Sequence, residues 1–218
     1  MNPRFSNKTN QALTLTEVLV VIVVLAVLAM ILIPSGPVAK ERAIRINCVN
    51  NLKQIGLAYR IWAGDHDDKY PMEISVKNGG TMGLADGRNA WINYFVMSNE
   101  LFTPRLLHCM ADTNGFGATN FSVGFNNQNV SYFVGLDAST NHSQIFLSGD
   151  DNFEIGGVPI KSGLLELSTN MPIAWTAARH HFAGNILLTD GSVQEVNTVG
   201  LQTALQNTSL ATNRLAIP

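Results

Sequence analysis

Residues 11–34 read QALTLTEVLVVIVVLAVLAMILIP. From Val18 to Ile33 sixteen apolar residues follow one another, and counted from Leu13 the run is 21 residues, broken only by Thr14, Thr16 and Glu17. As a helix that run is roughly 30 Å long, the thickness of one bilayer core. A helix apolar on all sides has to be covered on all sides, by lipid or by other helices. Glu17 is the feature that a plain membrane anchor leaves unexplained, because an ionised group at membrane depth is costly and is kept for function. It also lies within one turn of the helix start, where the dipole favours an anion. The residues alone leave both readings open. A secretory signal peptide would have a shorter apolar region and a small-residue cleavage site after it; here Pro34-Ser35-Gly36-Pro37 follows.

Pro34, Gly36 and Pro37 predict a kink or short break, after which the helix resumes. Apolar or aromatic side chains then recur at Cys48, Leu52, Ile55, Tyr59 and Trp62, the spacing of one helical face. Asn50, Lys53, Gln54 and Arg60 take the other face. This amphipathic stretch needs a surface to lie on, and the simplest is the chain's own distal domain.

The net charge of −2 conceals a split. Residues 1–63 carry seven bases and two acids, +5, while residues 64–218 carry seven bases and fourteen acids, −7. An acidic distal part is a poor partner for nucleic acid, which wants a basic patch. At 46% hydrophobic and 14% charged the chain is that of a folded protein.

Beyond Gly64 the helical period fades. Asp65, Asp67 and Asp68 cluster at the helix end, in GDHDDKYP. Carboxylates in such a turn are weak Ca²⁺ candidates, but the spacing completes no EF-hand, and a solvated turn is the favoured reading. Residues 89–101 predict a short amphipathic helix, and 105–112 (RLLHCMAD) a short buried strand followed by a turn. VSYFVGL (130–136) and QIFLSGD (144–150) predict strands. The turn Gly149-Asp150-Asp151-Asn152 that follows has no support for a metal role from spacing. Asn185–Thr189 and Ser192–Val196 flank Asp190-Gly191, which predicts a hairpin with a type I′ turn. Residues 199–206 predict a last helix and 213–218 a terminal strand. The fold class that follows is α+β: a long N-terminal helix, transmembrane and then amphipathic, laid on a C-terminal antiparallel sheet.

ALTLTEVLVVIVVLAVLAMILIP resembles the N-terminal cleavage and methylation motif of type IV pilins and type II secretion pseudopilins: a short basic leader, a small residue, then an aliphatic residue, Thr, Leu, any residue, Glu and a long aliphatic run. The resemblance implies a leader over 1–12, with Arg4 and Lys8, cut by a prepilin peptidase between Ala12 and Leu13. Leu13 would then be N-methylated. Many members have Gly where this chain has Ala12, and Phe or Met where it has Leu13. Glu17 falls where the family keeps its carboxylate, and Pro34 where many members have a proline. The resemblance implies that Glu17 pairs with the freed amine of a neighbouring copy in a filament, because a lone buried charge is costly and the pair forms in one register only. It further implies a filament-core helix over 13–33, an amphipathic continuation over 34–63 and an exported head over 64–218. The chain would wait in the bacterial inner membrane as a single-pass protein with its head in the periplasm. There it would meet a secretion or pilus assembly machinery and form a homo-oligomeric filament.

NNLKQIGLAYRIWAGDHDDKYP is similar to the segment after the helix in pseudopilin-like proteins, and RLLHCMAD to their CPSD-type segment, with Met110 and Ala111 in place of Pro and Ser. His180, nine residues and Asp190-Gly191 resemble an H-x9-D-G element of prepilin-like bacterial proteins. Read as chemistry, His180 and Asp190 are an acid–base or metal pair. Read as structure, they are a turn Asp and a His at the mouth of the same hairpin, and this reading leads because neither a nucleophile motif nor a third ligand accompanies them. His181 is the exposed neighbour. Cys48 and Cys109 offer no C-x-x-C spacing. In an exported head they could form one disulfide, the favoured reading, or stay as buried thiols acting as small hydrophobes. The expected protein is a structural subunit and not an enzyme, with no cofactor apart from the weak Ca²⁺ candidate. The competing classes are a membrane-anchored binding protein that does not polymerise and a secreted hydrolase or metal enzyme using His180 and Asp190.

Overall fold

The computed structural model describes residues 14–32, 36–84, 89–122 and 124–218. The chain divides into two compact units, Met1–Lys40 and Glu41–Pro218.

The first helix, α1 (Leu15–Leu32), has 18 residues. Every described side chain from Thr14 to Met30 is exposed, so α1 presents apolar surface all round. Among the described residues no helix is long and apolar enough to cross a membrane. The apolar run of the sequence extends past α1 at both ends, to Leu13 and Ile33, which lie outside the described residues. So does Pro34, the expected kink.

The second helix, α2 (Pro37–Gly64), starts with proline at its first position, where the missing N–H is no loss. From Glu41 onward it belongs to the larger unit. It buries the face that the spacing predicts: Cys48, Leu52, Ile55, Tyr59 and Trp62 are all 3% exposed or less. Next come two short helices, α3 (Ala90–Phe95) and α4 (Ser98–Leu101), in place of the one expected over 89–101. The Met97 N–H bonds the Tyr94 carbonyl three residues back, which tightens the last turn and ends α3.

The strands are β1 (Tyr132–Gly135), β2 (Phe146–Asp150), β3 (Phe153–Ile155), β4 (Val158–Pro159), β5 (Gly163–Ser168), β6 (Ile173–Trp175), β7 (Ala183–Leu188), β8 (Val193–Asn197) and β9 (Thr212–Ile217), with α5 (Thr198–Asn207) before β9. Six form an antiparallel sheet in the order β5-β9-β1-β2-β7-β8, and β4-β3-β6 form a smaller one. Alternation along the central strands divides the core in two. Tyr132, Val134, Leu147, Leu187 and Ala216 join the face covered by α2 and α3. Phe133, Phe146, Ile186, Leu188 and Leu215 join the other face, covered by the small sheet and α5. Gly56 lets α2 approach the sheet closely: a Cβ there would lie 3.0 Å from Leu187 Cδ1. The expected α+β layout is the one observed.

Two local expectations fail for identifiable reasons. Residues 104–107 form a 3-10 turn and no strand, because Pro104 opens it and the Thr103 side chain accepts from the Arg105 N–H. Cys109 then starts a turn closed by the Asp112 N–H on its carbonyl, 2.8 Å. In the β7–β8 hairpin only Gly191 has positive φ, +85°. The turn bond runs from the Gly191 N–H to Leu188, and the Leu188 N–H donates to Ser192, 2.9 Å each. That is a three-residue loop with a left-handed glycine, and no type I′ turn.

Candidate functional site

At the start of α1, Thr14 and Glu17 bond reciprocally. The Thr14 N–H and Oγ1 donate to Glu17 Oε2 at 2.8 and 2.9 Å, and the Glu17 N–H donates to Thr14 Oγ1 at 3.3 Å. This is a capping box: Thr14 precedes the first helical residue and Glu17 is the third within the helix. Glu17 thus occupies a helix N-terminus, in the positive end of the dipole. Both of the bonds it accepts fall on Oε2. Ala12 and Leu13, the expected cleavage and methylation positions, lie outside the described residues.

Sequence position and local geometry now point the same way. Residues 7–33 match the prokaryotic N-terminal methylation motif. This is a prepilin-type N-terminus. The motif marks pilin-type structural proteins made as precursors, and it covers the whole of α1. No curated protein and no solved structure matches the chain.

The larger unit, Glu41–Pro218, holds a second arrangement of interest. Cys48 comes from the buried face of α2, Cys109 from the turn after Leu107, Asp150 from the end of β2 and His180 from the loop before β7. One ligand atom from each lies within 4.8 Å of all the others. His180 Nε2 is 3.6 Å from Cys109 Sγ and 3.6 Å from the Asp150 carboxylate. All four residues are buried, none more than 3% exposed. Both cysteines are free thiols, so the expected disulfide is not formed, although their sulfurs share this cluster.

The cluster is held from behind. The Asn185 N–H and side-chain amide donate to Asp150 Oδ2 at 2.7 and 2.8 Å. Arg45 of α2 donates to the His180 carbonyl at 2.7 Å and to Glu195 of β8 at 2.5 Å. Burial raises the Asp150 pKa against the pull of His180 and Arg179. Burial also disfavours the His180 imidazolium, but Cys109 and Asp150 outweigh it and hold its pKa above the ordinary value. The bond with Cys48, then burial, pushes the Cys109 thiol far up.

His180 does not pair with Asp190. The Asp190 side chain accepts from the Ser192 N–H at 2.7 Å in the exposed hairpin turn, and its carbonyl accepts from Arg60. Asp190 and Gly191 are turn residues, as the structural reading has it, while His180 faces inward to Cys109 and Asp150. His181 is exposed and meets Glu41 at 3.1 Å. Asp65, Asp67 and Asp68 close α2, the last two with positive φ of 54° and 55°. Among the described residues they form no group of three ligand atoms in mutual reach; the four-residue cluster is the one that does.

Next to it, Arg179 reaches the Ser131 carbonyl at 2.6 Å, Asp112 at 2.8 Å and Asp151 at 2.5 Å. Burial pushes the Asp151 pKa up to about 7 despite Arg179. Burial also acts against ionised Asp112, but Arg179, the Ser131 hydroxyl and the Asn114 N–H outweigh it, so its pKa is lowered. A carboxylate with a depressed folded pKa stabilises the fold above its unfolded value of about 4, and that contribution is lost as pH falls through the folded value. Asp112→Asn is therefore expected to lower the thermal midpoint at neutral pH. The difference from the parent chain should shrink when the melt is repeated at progressively lower pH below about 4.

In the sequence Asp150 reads as an acid in a turn. The available signal was a carboxylate closing the otherwise uncharged strand QIFLSGD.

Proposed function

We propose that the chain is a structural subunit of a type IV pilus-like or type II secretion filament. A prepilin peptidase would cut it after Ala12, Leu13 would be N-methylated, and polymerisation would run through the apolar N-terminal helix. The observation that carries this reading is α1, a helix with exposed apolar side chains on every side, capped by a single carboxylate and lying inside the methylation motif. Such a helix needs lipid before assembly and other helices after it. A single pass of the inner membrane by residues 13–33, with residues 64–218 exported, satisfies both needs. Glu17 supplies the register. Its Oε2 is engaged with Thr14, and the second oxygen of the carboxylate would receive the α-amine of a neighbouring Leu13. The experiment that tests the proposal is the determination of the processed N-terminus in the membrane-bound chain.

A further inference from the structure

We infer that Cys48, Cys109, Asp150 and His180 form a closed structural zinc site in the head, which staples α2 to the sheet. This goes beyond the filament role and does not depend on it.

The donor chemistry comes first. Two thiols, one imidazole and one carboxylate suit a borderline-soft divalent ion, and the sulfurs disfavour Ca²⁺ and Mg²⁺, which take oxygen ligands. The spacing agrees. With bonds of roughly 2.3 Å to sulfur and 2.0–2.1 Å to nitrogen, the sulfur–nitrogen edge of a tetrahedron is about 3.6 Å. Cys109 Sγ and His180 Nε2 lie 3.6 Å apart. His180 and the Asp150 carboxylate are also 3.6 Å apart, too long for a hydrogen bond between nitrogen and oxygen. With roughly 2.0–2.2 Å to oxygen a tetrahedral nitrogen–oxygen edge is about 3.3–3.5 Å, so this gap, measured to Asp150 Oδ2, is slightly longer than that between two ligands of a common ion.

A second observation points to a ligand independently. Asp150 is fully buried, and its Oδ1 has no hydrogen-bond partner. A buried carboxylate oxygen without a partner is costly, and metal coordination is one of the few ways to satisfy it. The other oxygen is fixed by two donors from Asn185. Arg45 fixes the backbone at His180. Such outer partners orient the ligands of metal sites.

The four ligands come from α2, the turn at Cys109, β2 and the loop before β7, segments far apart in sequence. Four protein donors at a buried point leave no position open for substrate, so the site is structural. On binding, Zn²⁺ displaces to solvent the protons of both thiols and any proton on His180 Nε2 or the Asp150 carboxyl, and two thiolates, a neutral imidazole and a carboxylate are the ligands. A Cys48–Cys109 disulfide is incompatible with this site, because it would consume two of the four donors.

The test uses the full chain purified in detergent without chelator. Elemental analysis is expected to give one zinc per chain. Exchange into Co²⁺ is expected to give thiolate-to-cobalt charge transfer in the near ultraviolet and tetrahedral bands in the visible. Cys48→Ala, Cys109→Ala, Asp150→Asn and His180→Ala are each expected to lose most of the bound metal. His180→Cys should retain it, with a charge-transfer band about half as strong again for three thiolates in place of two. Metal-free protein with no cobalt spectrum would overturn the proposal. So would an intact mass showing the two cysteines oxidised to a disulfide, or metal whose stoichiometry none of the four substitutions changes. The zinc content and cobalt spectrum of the unaltered chain decide the matter even if a variant fails to fold.

Discussion

Replacing Glu17 with valine is expected to abolish filament formation while the chain still enters the membrane. Valine makes the apolar run of α1 more nearly continuous, so insertion does not suffer. Two things are lost. The two bonds that Glu17 Oε2 accepts from Thr14 disappear, while the backbone N–H of residue 17 still donates to Thr14 Oγ1, so the first turn frays at a cost of at most about 1 kcal/mol. The larger loss falls in the assembled state, where each freed α-amine would be buried without its counter-ion. Removing one partner of a buried ion pair costs about 3–5 kcal/mol, which weakens addition of each subunit by a few hundred-fold or more. Glu17→Gln separates the two effects, because the amide oxygen can still accept from Thr14 but carries no charge. If pairing sets the register, Gln and Val should block assembly alike, as measured by sedimentation of sheared filaments. Normal filaments from both variants would leave Glu17 as a helix cap and nothing more.

The second large effect is expected in the head. Gly149 sits in β2, the strand between β1 and β7, opposite Phe133. A Cβ at this position would lie 2.7 Å from the Asn185 carbonyl oxygen and 2.7 Å from Phe133 Cε1. Neither can yield easily. The carbonyl belongs to the neighbouring strand, and the Phe133 ring is wholly buried, with Phe146 and Phe153 centroids at 6.2 and 5.5 Å. Gly149→Ala is thus an overpacking change against backbone, and about 3 kcal/mol, the upper end of the usual range, is expected. For a head of this size that is a fall in thermal midpoint of roughly 6–12 °C. An unchanged midpoint would mean that the sheet relaxes at Gly149 more freely than its packing suggests.

These two positions mark what was legible in the sequence. The stripe Cys48, Leu52, Ile55, Tyr59 and Trp62 could be read directly, because helical burial has a period and the period is local. The strands at 130–136 and 144–150, the final helix and the terminal strand were likewise visible as runs bounded by turn residues. The 3-10 turn at Pro104–Leu107 reads as a strand in the sequence because Leu106 and Leu107 are buried in either conformation, and the cap from Thr103 decides it. The hairpin was placed correctly but its turn was not, since Asp-Gly serves both a two-residue and a three-residue loop. The small sheet of β3, β4 and β6 was missed, as strands of two or three residues carry almost no periodic signal. The head cluster was legible only as separate residues. The H-x9-D-G resemblance sets His180 beside Asp190, whereas the fold brings it to Asp150 and to a cysteine 71 residues away. Contacts of that range follow from sheet order, which spacing does not encode.

The proposed filament role stands or falls on the Ala12–Leu13 bond. The proposed assembly through α1 would require a freed amine next to Glu17, and that amine would exist only once the first twelve residues were removed. Mass spectrometry of the chain extracted from the inner membrane of cells with an active prepilin peptidase measures this directly. The predicted result is an N-terminal peptide that begins with N-methylated Leu13. An N-terminal peptide still beginning at Met1 in that membrane fraction would contradict it.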